Sequence, residues 1–218
     1  MIKSSANTPS AAPSVATLTA RGRKTRDGLL DAARKIFEEV GFLGTRVEQI
    51  AQEAGVSYGT FYRYFDSKED VFEELSTRLF DDVHRREPLD TDLSPAERLV
   101  ASNRSYYQAY RRNAKLMAIV EQVATFNDEF RALRHEHRRQ LIDRTARAIA
   151  RWQEQSDVRA SLDPVMAARA MAAMVDHSLY LWLVQGDDAD EESLLDTLDQ
   201  MCIGALGLDA DDTGSTHA

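Results

Sequence analysis

The 218 residues, 43% hydrophobic and 29% charged, suffice for a large core or for a small domain joined to a larger one. No run approaches the ~20 apolar residues of a membrane span, and the polar N-terminus lacks the apolar stretch of a signal peptide. The lone Cys202 forms no internal disulfide, and no cysteine cluster suggests zinc. The expectation is a cytoplasmic protein with neither metal nor cofactor.

The net charge of −9 argues against nucleic acid until its distribution is read. Through Phe65 there are nine Lys/Arg and six Asp/Glu, a net of +3, which leaves −12 for the remainder. Lys3, Arg21, Arg23, Lys24 and Arg26 precede any acid. A basic arm ahead of a folded domain is an electrostatic footprint of a DNA binder. The acidic remainder helps restrict phosphate contact to one end of the molecule.

In chain order, residues 1–20 are rich in Ala, Ser, Thr and Pro and read as a disordered tail. Almost everything after them reads as helix, in about nine segments. The first runs from Thr25 to Val40 on a stripe of Leu29, Leu30, Ala33, Ile36, Phe37 and Val40, and Gly41 ends it as a left-handed cap. Thr45-Arg46-Val47-Glu48 reads as a capping box opening the second helix, whose inner face is Val47, Ile50, Ala51 and Ala54. Gly55 stops it, and Ser57 caps a third helix through Phe65. Ser67 with Asp70 caps a fourth from Lys68 to Arg86, striped by Val71, Phe72, Leu75 and Leu79.

Pro88 and the polar stretch to Leu93 mark a domain boundary, so domains are expected at 21–86 and 94–208, with a second disordered tail at 209–218. Ser94-Pro95-Ala96-Glu97 opens the next helix. Asn113 caps another, a long helix spans Asn127 to Gln155, an eighth runs from Pro164 to Gly186, and a ninth from Glu191 to Leu206.

The segment Thr45 to Lys68, TRVEQIAQEAGVSYGTFYRYFDSK, carries the function. Two short helices meet at a tight turn on Gly55, which permits positive φ. Ala51 and Ala54 let them cross closely, while Val56, Phe61 and Phe65 pin the third helix to the core. Ser57, Tyr58, Gly59, Thr60, Tyr62 and Tyr64 are left outside. A groove-entering helix needs slim residues at its start, and Ser57, Gly59 and Thr60 are slim. Hydroxyls and helix-terminal amides bind phosphates.

From Arg26 to Leu79 the chain resembles the N-terminal domain of TetR/AcrR-type regulators. The most specific part is Ile50-Ala51-x-x-Ala54-Gly55-Val56-Ser57-x-Gly59-Thr60-Phe61-Tyr62-x-Tyr64-Phe65-x-Ser67-Lys68-Glu69. The resemblance implies an all-α homodimer: an N-terminal three-helix helix-turn-helix DNA-binding domain and a C-terminal helical ligand-binding and dimerisation domain. Each subunit would set its third helix in the major groove of a palindromic operator. Tyr58 would face bases, with Gly59 allowing close approach. Thr45, Thr60, Tyr62 and Lys68 would hold phosphates, Ser57 would lie at the helix start, and Tyr64 would contact either. Arg46, near the start of the second helix, would reach the backbone. For Arg21, Arg23 and Lys24 two readings stay open, a minor-groove contact and an unstructured arm.

The C-terminal region is read from its residues. The segment from Pro164 to Val184 is apolar nearly all round, and a helix apolar on every face is buried on every face, so a partner chain is expected as cover. In the family such helices pair with their symmetry mates, which makes Ser178, Leu181, Trp182, Leu195, Leu198, Met201 and Cys202 interface candidates. Cys202, on an apolar stripe, reads as a core thiol. A pocket is expected between the fifth and eighth helices. Its candidate lining is Tyr106, Tyr107, Tyr110, Met117, Phe126, Phe130, His137, Met171, Met174, His177 and Tyr180, which suits an elongated apolar effector with a polar handle. Plain core remains the competing reading for each of these.

His135-Glu136-His137 places two histidines on different helix faces and so builds no metal site. No phosphate loop, nucleophile elbow or His-Glu-x-x-His occurs, which argues against an enzyme. The acidic run Asp187–Glu192 is explained as a polar loop with a negative helix start. An architectural DNA-binding dimer without a sensor pocket, and an activator in place of a repressor, stay open.

Overall fold

The computed structural model describes residues 18–85, 93–155 and 158–208. The tail at 209–218, the tail up to residue 17 and the boundary at Pro88 lie outside them. Eight α-helices and no strand are found among the described residues: α1 (Ala20–Gly44), α2 (Val47–Glu53), α3 (Tyr58–Phe61), α4 (Lys68–Val83), α5 (Pro95–Phe126), α6 (Asp128–Glu154), α7 (Pro164–Tyr180) and α8 (Glu191–Leu206). The all-α expectation holds, with one helix fewer than read from sequence. Two compact units divide after Thr77, inside α4, which begins in the first and ends in the second. The expected divide was the Pro88 linker.

In the first unit α1 starts five residues earlier than the sequence reading. Thr19 caps it, its side chain accepting from the Gly22 amide. Arg21, Arg23 and Lys24 therefore stand on a helix and not on a free arm. Leu29, Leu30, Ala33, Ile36 and Phe37 are buried as the stripe requires, while Val40 is exposed. Gly41 takes φ +72°, the left-handed conformation that L side chains resist. That kink drops Phe42 inward, where it stacks on Phe37 at 5.8 Å and packs against Phe72 at 4.9 Å.

Thr45 does not head α2. It is buried, and its hydroxyl donates to the Gly41 carbonyl at 2.7 Å. Arg46 is the N-cap residue, its amide donating to Gln49 Oε1 at 2.8 Å. Ile50 and Ala51 face the core, and Gly55 turns the chain at φ +65°. The helical run of α3 is shorter than the expected segment to Phe65, and the chain continues as turns. Phe61 and Phe65 are buried, as are Val71, Phe72, Leu75 and Leu79 of α4. Fully burying each such side chain stabilises by about 1.5–3 kcal/mol.

In the second unit the two helices expected around Asn113 are one. Asn113 lies buried in mid-helix, where its Nδ2 donates to Ala109 O at 2.8 Å and Asp82 Oδ2 at 3.1 Å. Ser94 and Glu97 form the expected capping box, with Pro95 at the first helical position. Asn103 and Arg104 of α5 hold Asp199 of α8 at 2.8 and 3.1 Å. The end of α7 widens into a π-helical turn, Leu181–Gln185, closed by Gly186 at φ +81°. Trp182 in that turn stacks on Tyr107 at 5.6 Å. Within the single chain α7 leaves Val165 and Met166 exposed, and the π-helical turn leaves Leu181 exposed. No helix among the described residues is long and apolar enough to cross a membrane.

Candidate functional site

α3 is held by one side and free on the other. Phe61 is completely buried, packed against Phe65 at 5.9 Å. The Arg26 guanidinium covers the Phe65 ring at 4.5 Å and pairs with Glu74, which ties α1 to α4 around this anchor. Ser57 caps α3, accepting from the Thr60 amide at 3.2 Å, and its hydroxyl also meets that of Thr60 at 2.8 Å. A side chain at Gly59 would meet nothing within 4 Å, and φ there is not left-handed, so the fold itself makes no demand for glycine.

Tyr58 and Tyr62 stand on the outer side, 49% and 40% exposed. Their rings cross edge-to-face at 4.9 Å and their hydroxyls meet at 3.0 Å. The hydrogen bond to Tyr62 is the main reason that the Tyr58 phenol is pushed up to about 12. The pair is therefore a preorganised donor and acceptor. Tyr64 is half-buried, and Arg46 is exposed at the head of α2.

Two residues expected among the phosphate contacts are engaged inside the protein. The Lys68 ammonium donates to the carbonyls of Phe42 at 2.9 Å and Thr45 at 3.1 Å and lies 4.7 Å from the centre of the Phe42 ring. It fastens the start of α4 to the link between α1 and α2. Thr45 is buried with its hydroxyl committed to Gly41. Both side chains thus serve as supports within the first unit.

In the second unit a cavity of about 320 Å³ lies between α5, α6 and α7. Of the expected lining it takes Tyr106 and Met171. Met117 borders a small void of about 30 Å³ beside Phe80, His84 and Tyr106. The other expected residues go elsewhere. Tyr110 and Phe130 are core. Tyr107 is buried under Trp182, and His137 is buried against Phe80 at 4.7 Å. Phe126 is 49% exposed at the end of α5. Met174 is half-buried outside this lining, and His177 and Tyr180 border an open depression on another side. Sequence reasoning missed Arg98, Ser102, Asn103, Thr145, Arg151, Trp152 and Gln155. The signal for them was small: Ala148, Ala168 and Ala172 line the cavity and leave room.

Tyr106 donates to Asp176 at 2.9 Å, and burial with that carboxylate drives its phenol well above the ordinary range. His84 is pushed down to about 4 by burial, then by Arg144 and His137. Of the expected interface residues, Leu195, Leu198 and Cys202 are buried in their own chain, where burial raises the Cys202 thiol to about 11. Leu181 and Met201 are exposed, and Ser178 and Trp182 half-buried. No group of three or more His, Cys, Asp or Glu side chains able to hold a metal occurs among the described residues.

A short exposed helix anchored by a buried phenylalanine after a glycine turn defines the class of helix-turn-helix DNA-binding proteins. Residues 29–75 match the family described as bacterial regulatory proteins, tetR family. Through this segment the chain is similar to that family. It is similar to the HTH-type transcriptional repressor KstR2 of Mycolicibacterium smegmatis, 32% identical over 106 residues, 47% of this chain and 52% of the relative. It thus spans about half the length of that relative. A longer match, 25% over 170 residues, is to the HTH-type transcriptional repressor KstR of Rhodococcus jostii, covering 78% and 77% of the two chains. The structure of Salmonella enterica GusR superposes with a TM-score of 0.70 at 26% identity, over 87% of this chain and 98% of the other.

Proposed function

We propose that the chain is a cytoplasmic, effector-responsive repressor that binds a palindromic operator as a homodimer and leaves it when a small molecule enters the second unit. The exposed Tyr58–Tyr62 pair on α3 is the observation that carries the DNA reading. Tyr58 and Gly59 meet bases, while Ser57, Thr60, Tyr62 and Arg46 meet the backbone, and Tyr64 borders the groove. The dimer forms through the exposed sides of α7 and α8, at Leu181 and Met201 with Ser178 and Trp182 beside them.

The effector occupies the 320 Å³ cavity. Its route to the DNA is the last turns of α4, since Phe80, Val83 and His84 border Tyr106, itself part of the cavity wall. An effector that weakens DNA binding must, by linkage, bind the DNA-free dimer more tightly. The similarity to KstR2 and KstR, both transcriptional repressors, favours repression over activation.

The test is to incubate purified protein with fragmented genomic DNA and recover what binds. A palindromic site whose affinity falls about tenfold or more in Tyr58→Ala is expected, on the scale of one lost base contact. No enriched fragment at any salt concentration rejects the reading.

A further inference from the structure

Guanine is most often read by arginine or lysine, and adenine by asparagine or glutamine, each through two hydrogen bonds. From its cap Ser57 to Tyr62, α3 carries none of these residue types. Arg46 stands at the head of α2, and Arg63 follows the end of α3. A groove-entering helix turns its first residues to the bases, while the helix before it crosses the backbone.

The hydroxyls of α3 are engaged in pairs. Those of Ser57 and Thr60 meet at 2.8 Å, and those of Tyr58 and Tyr62 at 3.0 Å. One proton of each pair is spent on its partner, and the function proposed above gives the other to a phosphate. The Tyr58 phenol is raised chiefly by its hydrogen bond to Tyr62, which agrees with Tyr58 as the donor and leaves its oxygen only to accept. Guanine shows the major groove two acceptors, N7 and O6, and finds no side-chain donor to match them.

What α3 offers instead is apolar. The Tyr58 ring is 49% exposed and is braced edge-to-face by Tyr62 at 4.9 Å. Gly59, next in the chain, is bare and exposed, and a Cβ added there would meet nothing within 4 Å. The apolar group that a base pair shows to the major groove is the 5-methyl of thymine.

We propose that α3 reads its operator through thymine methyl groups, one seated against the Tyr58 ring and Gly59 in each half-site, and leaves guanine unread. This rests on the DNA-binding function proposed for α3, and it makes Tyr58 and Gly59 the residues that set specificity. Each such contact discriminates modestly. One buried methyl is worth about fourfold, against roughly 5- to 150-fold for a two-bond contact.

The experiment is selection by the full chain from a random-sequence duplex library. Affinity is then measured on the selected duplex with deoxyuridine replacing thymidine, or 7-deazaguanine replacing guanine, one position at a time. Thymine is expected at a fixed place in each half-site, with about a fourfold loss on deoxyuridine there. The 7-deazaguanine duplexes should bind α3 as the parent does. Gly59→Ala brings its own methyl to that place, so it should weaken binding to the thymine duplex and lose the deoxyuridine effect. A variant that merely folds poorly would weaken both duplexes alike and keep their ratio. Tyr58→Phe, which keeps the ring, should retain the deoxyuridine effect.

Three results overturn the proposal while DNA binding by α3 stands. One is deoxyuridine binding as well as thymidine at every position. Another is a deoxyuridine effect unchanged in Gly59→Ala. The third is a 7-deazaguanine loss that disappears in Tyr58→Ala. No enriched sequence at any salt concentration rejects DNA binding itself, and this inference with it.

Discussion

The hydroxyls of Tyr58 and Tyr62 meet at 3.0 Å across one turn of α3, on a helix with no carboxylate or ammonium of its own. Each ring fixes the other, so the pair is rigid and has little rotamer freedom left to lose on binding. Replacing Tyr62 by Phe removes the hydrogen bond that holds the Tyr58 phenol at about 12. A raised phenol pKa means that the neutral form is favoured below that pH, and the preference vanishes as pH rises through about 12. Ultraviolet titration should therefore show one tyrosine moving toward the ordinary value of about 10 in Tyr62→Phe. An unchanged profile would mean that the pair is not formed in solution.

Lys68→Met should destabilise the first unit by about 2 kcal/mol, because two buried-side carbonyls lose a charged donor. Denaturant unfolding measures this directly. The dependence of DNA affinity on salt should keep the wild-type slope. A slope lower by about one unit would show that Lys68 neutralises a phosphate after all.

His84 makes the second unit acid-sensitive. Its folded pKa of about 4 lies below the ordinary 6.5. Between these values the unfolded chain binds a proton that the folded chain refuses, so stability rises with pH across this window. It is fully present above 6.5 and is lost as pH falls toward 4, by about 3 kcal/mol. His137, lowered chiefly by burial, acts in the same direction. His84→Phe keeps the stack on Phe80 and Tyr106 and should flatten the profile of thermal midpoint against pH. A profile as steep as the wild type's would assign the effect to other groups.

Met201→Glu places a charge on an apolar side chain that is 54% exposed on α8. If that side is the dimer interface, sedimentation should show dimerisation weakened about thirtyfold or more with the fold intact. Cys202→Ser, one residue on but completely buried, should instead cost about 1–3 kcal/mol of stability and leave the dimer alone.

The helix-turn-helix was legible because its signals are local. Gly41 and Gly55 sit at left-handed turns and Ser57 caps α3, so stripe, cap and glycine agree with the fold around them. Asn113 misled because it is a helix-capping type whose amide is satisfied across space by Asp82, a contact that no local pattern announces. The internal role of Lys68 was hidden for the same reason: its carbonyl partners lie 26 and 23 residues earlier. The cavity was the least legible part. Aromatic and methionine side chains fill volume, and Tyr110 and Phe130 duly became core. Space is made by what is small, here Ala148, Ala168 and Ala172, and alanine at helical spacing looks like ordinary helix. On α8 the strongest apolar stripe, Leu195, Leu198 and Cys202, was taken by the chain's own core. Sequence alone cannot rank which apolar side is buried first.

The π-helical turn Leu181–Gln185 fits one residue more than an α-turn into its length. In hereditary terms, a single inserted codon can be absorbed here, where the helix ends, without changing α7 upstream. Gly186, left-handed immediately after it, resets the chain direction. Gains and losses of one codon among related genes should therefore collect at this turn, while the rest of α7 keeps its length.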